Sequence, residues 1–365
     1  MTVTLVDVAA RARVSPATVS RVLNGNYPVA AATRERVLRA VDELDYVLNG
    51  PASSLAAAAS DLIGILVDDI ADPFFGIIAG AAQTSIGDGV SGRAGGGKLA
   101  VVCNTGGSAE RELTCLTLLQ RQRPAAVILA GGALEDPRHI AATTAKLAKL
   151  AACGTAVVLC GRPPLPGGPA VATLTFDHRG GSRRLTEHLI ALGHRRIGYV
   201  AGPPDRTTTR QRLEGHRAAL AGARIGGSEG AGGVEGVGAD REGLTVYCTY
   251  ERGSGYEAAR ELLSHDPGLT AIVAADDTVA LGVCAALREK GLRVPEDVSV
   301  AGFDDLPFSA DAVPALTTVR LPLHEVGRRA GRLAVGAERP PPGGVETIDA
   351  VLVPRASTAP PPRVL

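Results

Sequence analysis

Three features are missing from this chain of 365 residues: long apolar runs, clustered metal ligands, and an excess of charge of either sign. The apolar segments are short and interrupted by glycine, which excludes a membrane-spanning helix and predicts a protein without a membrane partner. The N-terminus places Asp7 where a signal peptide would be apolar, so we expect a cytoplasmic protein. The histidines form no His-Glu-x-x-His motif, and we expect neither a metal site nor a cofactor.

Cysteine spacing and charge balance narrow the possible classes further. The six cysteines never form Cys-x-x-Cys pairs, so small buried thiols explain them better than a disulfide framework or a metal centre does. Lysine and arginine together number 38, and aspartate and glutamate also number 38. This balance argues against a protein that binds polyanions over its whole surface, although a local DNA-binding unit need not change the total.

Three short helices are predicted in the first 45 residues. Apolar residues at helical spacing follow Thr4, which is a suitable N-cap. Ser15 caps a second helix with Pro16 at its first position, where the missing N–H costs nothing. Thr33 is predicted to cap the third helix. Two helices joined by a short turn, with the small Ala9 allowing a close crossing, are typical of a helix-turn-helix unit.

From residue 61 onward, short apolar strands alternate with helical segments. Among the strands are LIGILVDDI, KLAVVCN, AAVILAGG, AVVLCG, RRIGYVAG, LTVYCTY, TAIVAADD and VSVAGFDD. This alternation predicts an α/β fold with parallel sheets and helices on both faces. Eight such strands suit two Rossmann-like lobes with a ligand cleft between them. The glycine-rich stretches 87–97 and 222–243 are predicted to be loops.

The order of motifs along nearly the whole chain resembles the lactose/galactose-repressor family of bacterial regulators. The head carries TLVDVAARARVSPATVSRVLNG, and the body carries DPFF, DHRGGSRRLTEHLIALGHRRIGYVAG and ADDTVALGVCAALREKGLRVPEDVSVAGFDD. The resemblance implies a homodimeric repressor, not an enzyme, that binds double-stranded, pseudo-palindromic operator DNA. It also implies that a small effector, a sugar or a sugar derivative, binds between the lobes and controls operator affinity.

The resemblance also implies how the chain is divided. Residues 1–48 would form an all-α helix-turn-helix head, residues 49–60 a hinge helix and linker, and residues 61–365 a periplasmic-binding-protein-like domain for effector binding and dimerisation. In that domain the first lobe would span about 61–161 with a returning segment near 322–345, and the second about 162–321 with the C-terminal strand.

The same resemblance assigns DNA-binding roles. Pro16, Ala17 and Arg21 match base-reading positions, and only Arg21 can make a bidentate contact to guanine, worth about 1–3 kcal/mol of discrimination. Positions that match contacts to the DNA backbone or lie beside them on the helix surface are Thr4, Ser15, Thr18, Ser20, Asn24, Thr33 and Tyr46. Leu55 matches a hinge side chain that wedges into the minor groove. The alternatives are plain helix surface for Thr18 and Ser20 and an ordinary linker leucine for Leu55.

For the effector, the resemblance assigns two aromatic and three polar residues. Phe74 and Phe75 match aromatics that stack on the effector, and Arg212, Asp276 and Asp304 match polar contact positions. An aromatic face suits the apolar side of a sugar ring, and guanidinium and carboxylate groups suit its hydroxyls. The alternatives are that the phenylalanines simply close the core and that Asp304 is a turn residue.

Some positions depart from the family pattern. Arg13 stands where a turn glycine is usual, and a left-handed backbone there would cost roughly 1–2 kcal/mol. Asp276 replaces a usual asparagine, and because an ionised carboxylate cannot donate, we expect a different hydrogen-bond pattern to the effector. Gly161 replaces a frequent acidic residue in the first lobe.

Two other function classes compete with the regulator. The stretch GDGVSGRAGGGKL contains G-x-G-x-x-G, but it follows a predicted helix and precedes a strand. A phosphate-binding loop must instead follow a strand and open a helix, which argues against a Rossmann-type enzyme. A solute-binding protein fits the two-lobed body, but the N-terminal helices argue against it.

Overall fold

The computed structural model describes residues 3–24, 28–46, 60–88, 97–166, 172–226 and 244–362. Its head contains the three predicted helices, α1 (Leu5–Ala12), α2 (Pro16–Asn24) and α3 (Ala31–Glu43). Their apolar faces enclose a small core that includes Val8, Val19 and Val37, all fully buried. The helical periodicity of the sequence therefore placed the head correctly.

Local capping defines the two helices of the helix-turn-helix. The backbone N–H and the hydroxyl of Thr4 both donate to Asp7 Oδ2, at 2.8 and 2.7 Å. Arg13 ends α1 in a left-handed conformation, with φ 55° and ψ 49°. The chain therefore keeps the left-handed turn at this position even though an arginine replaces the usual glycine. Ser15 Oγ accepts the backbone N–H of Thr18 at 3.2 Å and caps α2 as predicted.

The third helix begins earlier than the sequence indicated. Ala30, rather than Thr33, is the N-cap of α3. The carbonyl oxygen of Ala30 accepts the backbone N–H groups of Thr33 and Arg34 at 2.9 and 3.0 Å. The prediction that Thr33 caps the helix is therefore wrong. The two alanines before Thr33 have high helix propensity and extend the first turn.

Six parallel strands form the larger sheet. In chain order they are β1 (Leu62–Val67), β2 (Leu99–Asn104), β3 (Ala126–Ala130), β4 (Ala156–Cys160), β5 (Ala172–Phe176) and β11 (Val345–Ile348), and their order in the sheet is β11-β5-β4-β3-β1-β2. Helices α4 (Pro73–Asp88), α5 (Ala109–Arg121), α6 (Pro137–Ala152) and α12 (Leu323–Ala334) accompany it. We call this part the first lobe.

Four parallel strands form the smaller sheet, in the order β7-β6-β8-β9. They are β6 (Ile197–Ala201), β7 (Thr245–Tyr247), β8 (Ala271–Ala274) and β9 (Ser299–Ala301). The accompanying helices are α7 (His178–Ala191), α8 (Thr207–Gly226), α9 (Arg252–His265), α10 (Asp277–Glu289) and the short α11 (Phe308–Asp311). We call this part the second lobe. A separate antiparallel pair joins β10 (Thr318–Arg320) to β12 (Val351–Val353). The predicted α/β architecture is confirmed.

The first lobe extends beyond the boundary expected near residue 161. Strand β5 pairs with β4, with Ala172 opposite Val158, although the sequence suggested that it belonged to the second lobe. Strand β11 pairs with β5, with Val345 opposite Thr173, and so lies at the edge of the same sheet. The chain therefore enters the second lobe after Phe176, because parallel pairing joins segments that alternation alone does not connect.

Candidate DNA interface and effector cleft

The second helix of the head has one buried and one exposed face. Val19 and Val22 are buried in the head core, whereas Pro16, Ala17 and Arg21 are exposed. Because the valines fix the orientation of α2, the three positions predicted to read bases are all exposed on its outer side. Of these side chains, Arg21 alone carries a charge.

The positions expected to contact phosphate differ in their surroundings. The hydroxyls of Ser15 and Thr18 lie 2.9 Å apart at the start of α2. Tyr46 is half-buried and packs against the head core, and Ser20 and Thr33 are half-buried on their helices. Asn24 is described only by its backbone, at the end of α2. Leu55 and most of the predicted linker lie outside the described residues.

Arg212 on α8 is the centre of a buried cluster in the second lobe. Its Nη2 donates to Asp304 Oδ1 at 2.7 Å, and its Nη1 donates to the carbonyl oxygen of Ala275 at 2.5 Å. The guanidinium carbon lies 3.9 Å from the centroid of the Phe303 ring, a cation–π contact. Burial opposes the charge, but the electrostatic effects of Asp304, Tyr250, Tyr199 and Asp276 together outweigh it and raise the pKa of Arg212. The cluster therefore holds a charged guanidinium in a fixed orientation.

Two buried carboxyl groups lie beside this guanidinium. Asp276 caps α10 by accepting the backbone N–H of Val279 at 2.7 Å. Burial, and then the neighbouring Asp304, raise the pKa of Asp276 well above its usual value. Asp304 has a left-handed backbone with φ 99°, and burial raises its pKa too, against the opposing effect of Arg212. The raised pKa favours the neutral form of Asp276, and a neutral carboxyl group, unlike a carboxylate, can donate a hydrogen bond as an asparagine does.

The two phenylalanines stand at the start of α4 in the first lobe. Their ring centroids are 5.0 Å apart with an interplanar angle of 83°, and both rings pack partly against the hydrophobic core. Phe75 lies against Gly131, which has φ +84° and where an added Cβ would stand 2.5 Å from the ring. The rings therefore contribute to the core, and their partial exposure leaves contact with an effector open.

Asp72 connects the start of α4 to the Arg212 cluster and was missed from the sequence. Burial raises its pKa to about 6, the backbone N–H of Phe74 opposes this, and the negative charge of Asp304 adds to the rise. Asp72 belongs to the first lobe and Asp304 to the second, and the charge of one acts on the other. The signal was present in the motif DPFF, whose first residue is Asp72.

His178 and Tyr250 are two further cleft residues that sequence reasoning did not single out. His178 lies two residues after the end of β5, and its Nδ1 accepts a hydrogen bond from Arg212 Nε at 3.3 Å. The hydroxyl of Tyr250 lies 3.0 Å from those of Thr208 and Thr209. The position of His178 after the carboxyl end of a parallel strand is the signal that could have found it.

Several contacts join the lobes directly at one side of the cleft. Arg206 Nη1 lies 2.8 Å from Asp68 Oδ2, and its Nη2 donates to the carbonyl oxygen of Gly107 at 3.0 Å. The backbone N–H of Thr207 donates to the carbonyl oxygen of Ala133, and the N–H of Ala133 donates to the Thr207 hydroxyl, both at 3.0 Å. We call these residues the interlobe latch. They hold the lobes in contact.

A buried ionic cluster lies behind the first-lobe side of the cleft. Arg162 follows Gly161 after β4, and its Nη2 lies 2.5 Å from Glu112 Oε2. His139 Nε2 lies 3.1 Å from the other carboxylate oxygen of Glu112. Although burial opposes ionisation, Arg162 and His139 hold the pKa of Glu112 below its usual value. The ion pair of Arg162 and Glu112 therefore lies next to Gly161, the position where an acidic residue is frequent in the family.

The described residues contain neither a group of metal ligands nor a helix that could span a membrane. In that part of the chain, no three histidine, cysteine, aspartate or glutamate side chains are grouped so that they could hold a metal ion. None of the described helices combines the length and the apolar character that crossing a membrane requires.

Comparison with known proteins identifies both parts of the chain. Residues 4–49 match the family described as bacterial regulatory proteins, lacI family, and residues 186–358 match the periplasmic binding protein-like domain. The HTH-type transcriptional regulator CelR of Thermobifida fusca is 36% identical over 338 residues, which cover 91% of this chain and 91% of the relative. The regulator GalR of Escherichia coli is 31% identical over 98% of this chain and 96% of the relative.

Solved structures show the same architecture over almost the full length. A CelR–cellobiose complex has a TM-score of 0.66 and 32% identity, and the match covers 97% of this chain and 99% of that chain. A lac repressor dimer bound to operator and the anti-inducer ONPF has a TM-score of 0.74 and 28% identity, covering 98% of this chain and 100% of that chain.

Proposed function

The chain belongs to the lacI family of bacterial regulatory proteins and is a DNA-binding transcriptional regulator, and we propose that a carbohydrate in the cleft controls its repression of an operator. The observation that carries this proposal is the buried guanidinium of Arg212, which Asp304 holds in place and whose charge acts on the buried Asp276. The relatives are regulators, so the cleft binds its ligand without converting it.

The chemistry of the cleft supports a polyhydroxylated effector. Arg212 supplies donors, Asp304 supplies acceptor oxygens, and a protonated Asp276 supplies both. The partly exposed phenylalanines offer an apolar surface that suits one face of a sugar ring. A related structure is a CelR–cellobiose complex, which is consistent with a sugar or a sugar derivative here.

The DNA side of the proposal rests on the head. Pro16, Ala17 and Arg21 face outward on α2 and read bases, while the hydroxyls at the helix starts contact phosphate. Two copies of the chain, arranged as in the lac repressor dimer, read a pseudo-palindromic site because protein and DNA then share a two-fold axis. The regulator works in the cytoplasm, at the nucleoid when bound to its operator. Leu55 keeps its proposed role as a hinge wedge in the minor groove.

The experiment selects operator sequences from random duplex DNA with the purified full chain, and then measures gel shifts with cellobiose, maltose, galactose or ribose. We expect a specific, salt-sensitive shift that one of these sugars changes. Arg212→Lys keeps a positive charge but cannot reproduce the geometry of the three hydrogen bonds to Asp304, the Ala275 carbonyl and His178. This variant should therefore still shift the operator DNA, but sugars should no longer change the shift. The exposed Arg260→Lys on α9 serves as the matched control and should retain both.

Each part of the proposal can fail separately in this experiment. Absence of any enriched sequence would contradict specific DNA binding. A shift that no sugar changes would contradict a carbohydrate effector of this panel. A normal sugar response in the Arg212→Lys protein would move the effector site away from the buried cluster.

A further inference from the structure

The imidazole of His178 lies against the Nε side of Arg212, whereas a carboxylate and a carbonyl accept from the two Nη atoms. Arg212 uses Nη2 for Asp304 and Nη1 for the carbonyl oxygen of Ala275, and its Nε donates to His178 Nδ1 at 3.3 Å. Each nitrogen of the guanidinium therefore has its own acceptor. His178, at the start of α7, supplies the acceptor for Nε. The carbonyl of Ala275 lies just before α10, and the carboxylate of Asp304 lies after β9.

The histidine ring is itself held firmly. His178 is only 2% exposed, and its ring lies 5.8 Å from that of Phe176 and 5.9 Å from that of Phe303, measured between centroids. Phe303 also carries the cation–π contact to Arg212. One aromatic side chain therefore packs against both members of the His178–Arg212 pair and limits how either can move.

The protonation state of the ring follows from its partner. An arginine Nε–H can only donate, so Nδ1 of His178 must present a lone pair. A neutral imidazole with an unprotonated Nδ1 carries its hydrogen on Nε2. Burial, and then the positive charge of Arg212, lower the pKa of His178 well below its usual value, which favours the neutral ring. Nε2 is buried and has no hydrogen-bond partner among the described residues.

We infer that His178 is a positioning residue: through Nδ1 it fixes the orientation of the Arg212 guanidinium that receives the effector. This inference rests on the proposed function, because it assumes that the cleft binds a carbohydrate. Without the acceptor on α7, the guanidinium keeps only its two Nη partners, Asp304 and the Ala275 carbonyl, and its plane can tilt more easily about the Cδ–Nε bond. The effector would then meet donors in several orientations and lose affinity.

Two variants separate the two nitrogens of the ring. In His178→Asn the side-chain oxygen takes a place near Nδ1 and can still accept from Arg212. In His178→Gln the longer amide takes a place near Nε2, and the acceptor near Nδ1 is lost. We expect His178→Gln to weaken binding of the responsive sugar of the four-sugar panel by about 10- to 100-fold, as loss of a hydrogen bond to a charged group does, and His178→Asn to weaken it by less than about 3-fold.

Calorimetry with that sugar gives the first readout, and a double-mutant cycle with Arg212→Lys gives the second. If His178 acts through Arg212, His178→Gln should cause no further loss in the Arg212→Lys background. Equal losses in the Asn and Gln variants would overturn the inference, because they would show that Nε2 matters as much as Nδ1. Full additivity in the cycle, or unchanged affinity in His178→Gln, would overturn it as well.

A ligand-free measurement keeps the inference testable if no sugar of the panel binds. In protein with ¹⁵N-labelled histidine, NMR near neutral pH should show His178 with a protonated Nε2 and an unprotonated Nδ1, with the resonances assigned by their loss in His178→Asn. A protonated Nδ1, whether in the other tautomer or in the imidazolium, would overturn the inference. Failure of all four sugars with the expected tautomer would count against the carbohydrate proposal alone.

Discussion

Replacing Arg206 by alanine should open the cleft without unfolding either lobe. The side chains of Arg206 and Asp68 are 12% and 20% exposed, so solvent screens their contact only partly. Arg206 makes one ion pair and one hydrogen bond to a backbone carbonyl across the lobes. Asp68 keeps a hydrogen bond from Thr105 Oγ1 at 3.1 Å after the change, which limits the cost of leaving its charge unpaired.

The magnitude follows from these two contacts. Hydrogen bonds to charged groups contribute about 1.5–3 kcal/mol each, and partial exposure and the remaining partners of Asp68 reduce the sum, so we expect the closed arrangement to lose about 2 kcal/mol. At about 1.4 kcal/mol per factor of ten, the equilibrium between closed and open lobes shifts about 30-fold toward the open form.

Hydrogen–deuterium exchange measures this shift at the interlobe amides themselves. The N–H groups of Ala133, Glu135 and Thr207 donate across the latch and can exchange when the lobes separate. Their exchange should accelerate about 30-fold in Arg206→Ala, whereas the amides of β3 should keep their rates. Arg293→Ala, which removes an exposed ion pair to Asp297 within the second lobe, is the control and should change none of these rates.

Two results would refute this reasoning. Unchanged exchange at the three amides would mean that the backbone contacts alone keep the lobes closed. A uniform acceleration that includes β3 would mean that the substitution destabilises the whole first lobe rather than its contact with the second.

Three further substitutions test the head, the packing of the cleft and the buried ion pair. Arg21→Ala should relax discrimination at one base position in each half-site, as measured by gel shifts on single-base operator variants. Uniform weakening on all of these variants would show instead that Arg21 contacts phosphate. Gly131→Ala and Gly154→Ala share nearly the same positive φ, +84° and +85°, but only the first would place a Cβ against an aromatic ring. The free energy of unfolding, measured in urea, should therefore fall by about 1–3 kcal/mol more in Gly131→Ala than in Gly154→Ala. Equal losses in the two variants would contradict the contact between Gly131 and the Phe75 ring. The pKa of Glu112 is held below its usual value, so the ion pair with Arg162 stabilises the fold above the unfolded-state pKa and loses this effect as the pH falls. The difference in unfolding free energy between wild type and Glu112→Gln should stay constant from about pH 7 to about pH 5 and narrow as the pH falls below about 4.3, and a difference that stays constant down to about pH 3 would argue against an ionised pair.

Local signals were sufficient for the head. Thr4 and Ser15 cap their helices through hydrogen bonds to residues three positions further on, so a short window of sequence contains all the information. The start of α3 was misplaced because alanines before Thr33 can join a helix without any capping side chain. Helix ends that depend on propensity alone leave a weaker mark on the sequence than ends that depend on a cap.

Pairing between distant segments was harder to predict. Alternation of strands and helices correctly indicated parallel sheets, but it did not show that β5 adds to the first sheet and that β11 returns to its edge. The interlobe latch was equally hard to predict from the sequence, because Arg206 and Asp68 are 138 residues apart and neither belongs to a motif. The ionic cluster of Glu112 and Arg162 is of the same kind.

The amino-acid sequence by itself determined the helix-turn-helix head and the α/β body, because capping and periodicity act over a few positions, and it supplied candidate site residues in both. Only the tertiary structure decided how those residues behave. Burial raises the pKa of Asp276 so that a residue expected to be an acceptor can also donate. Folding also brings His178, Asp304 and the Ala275 carbonyl around Arg212, since desolvation and hydrogen-bond geometry depend on segments that meet only in space.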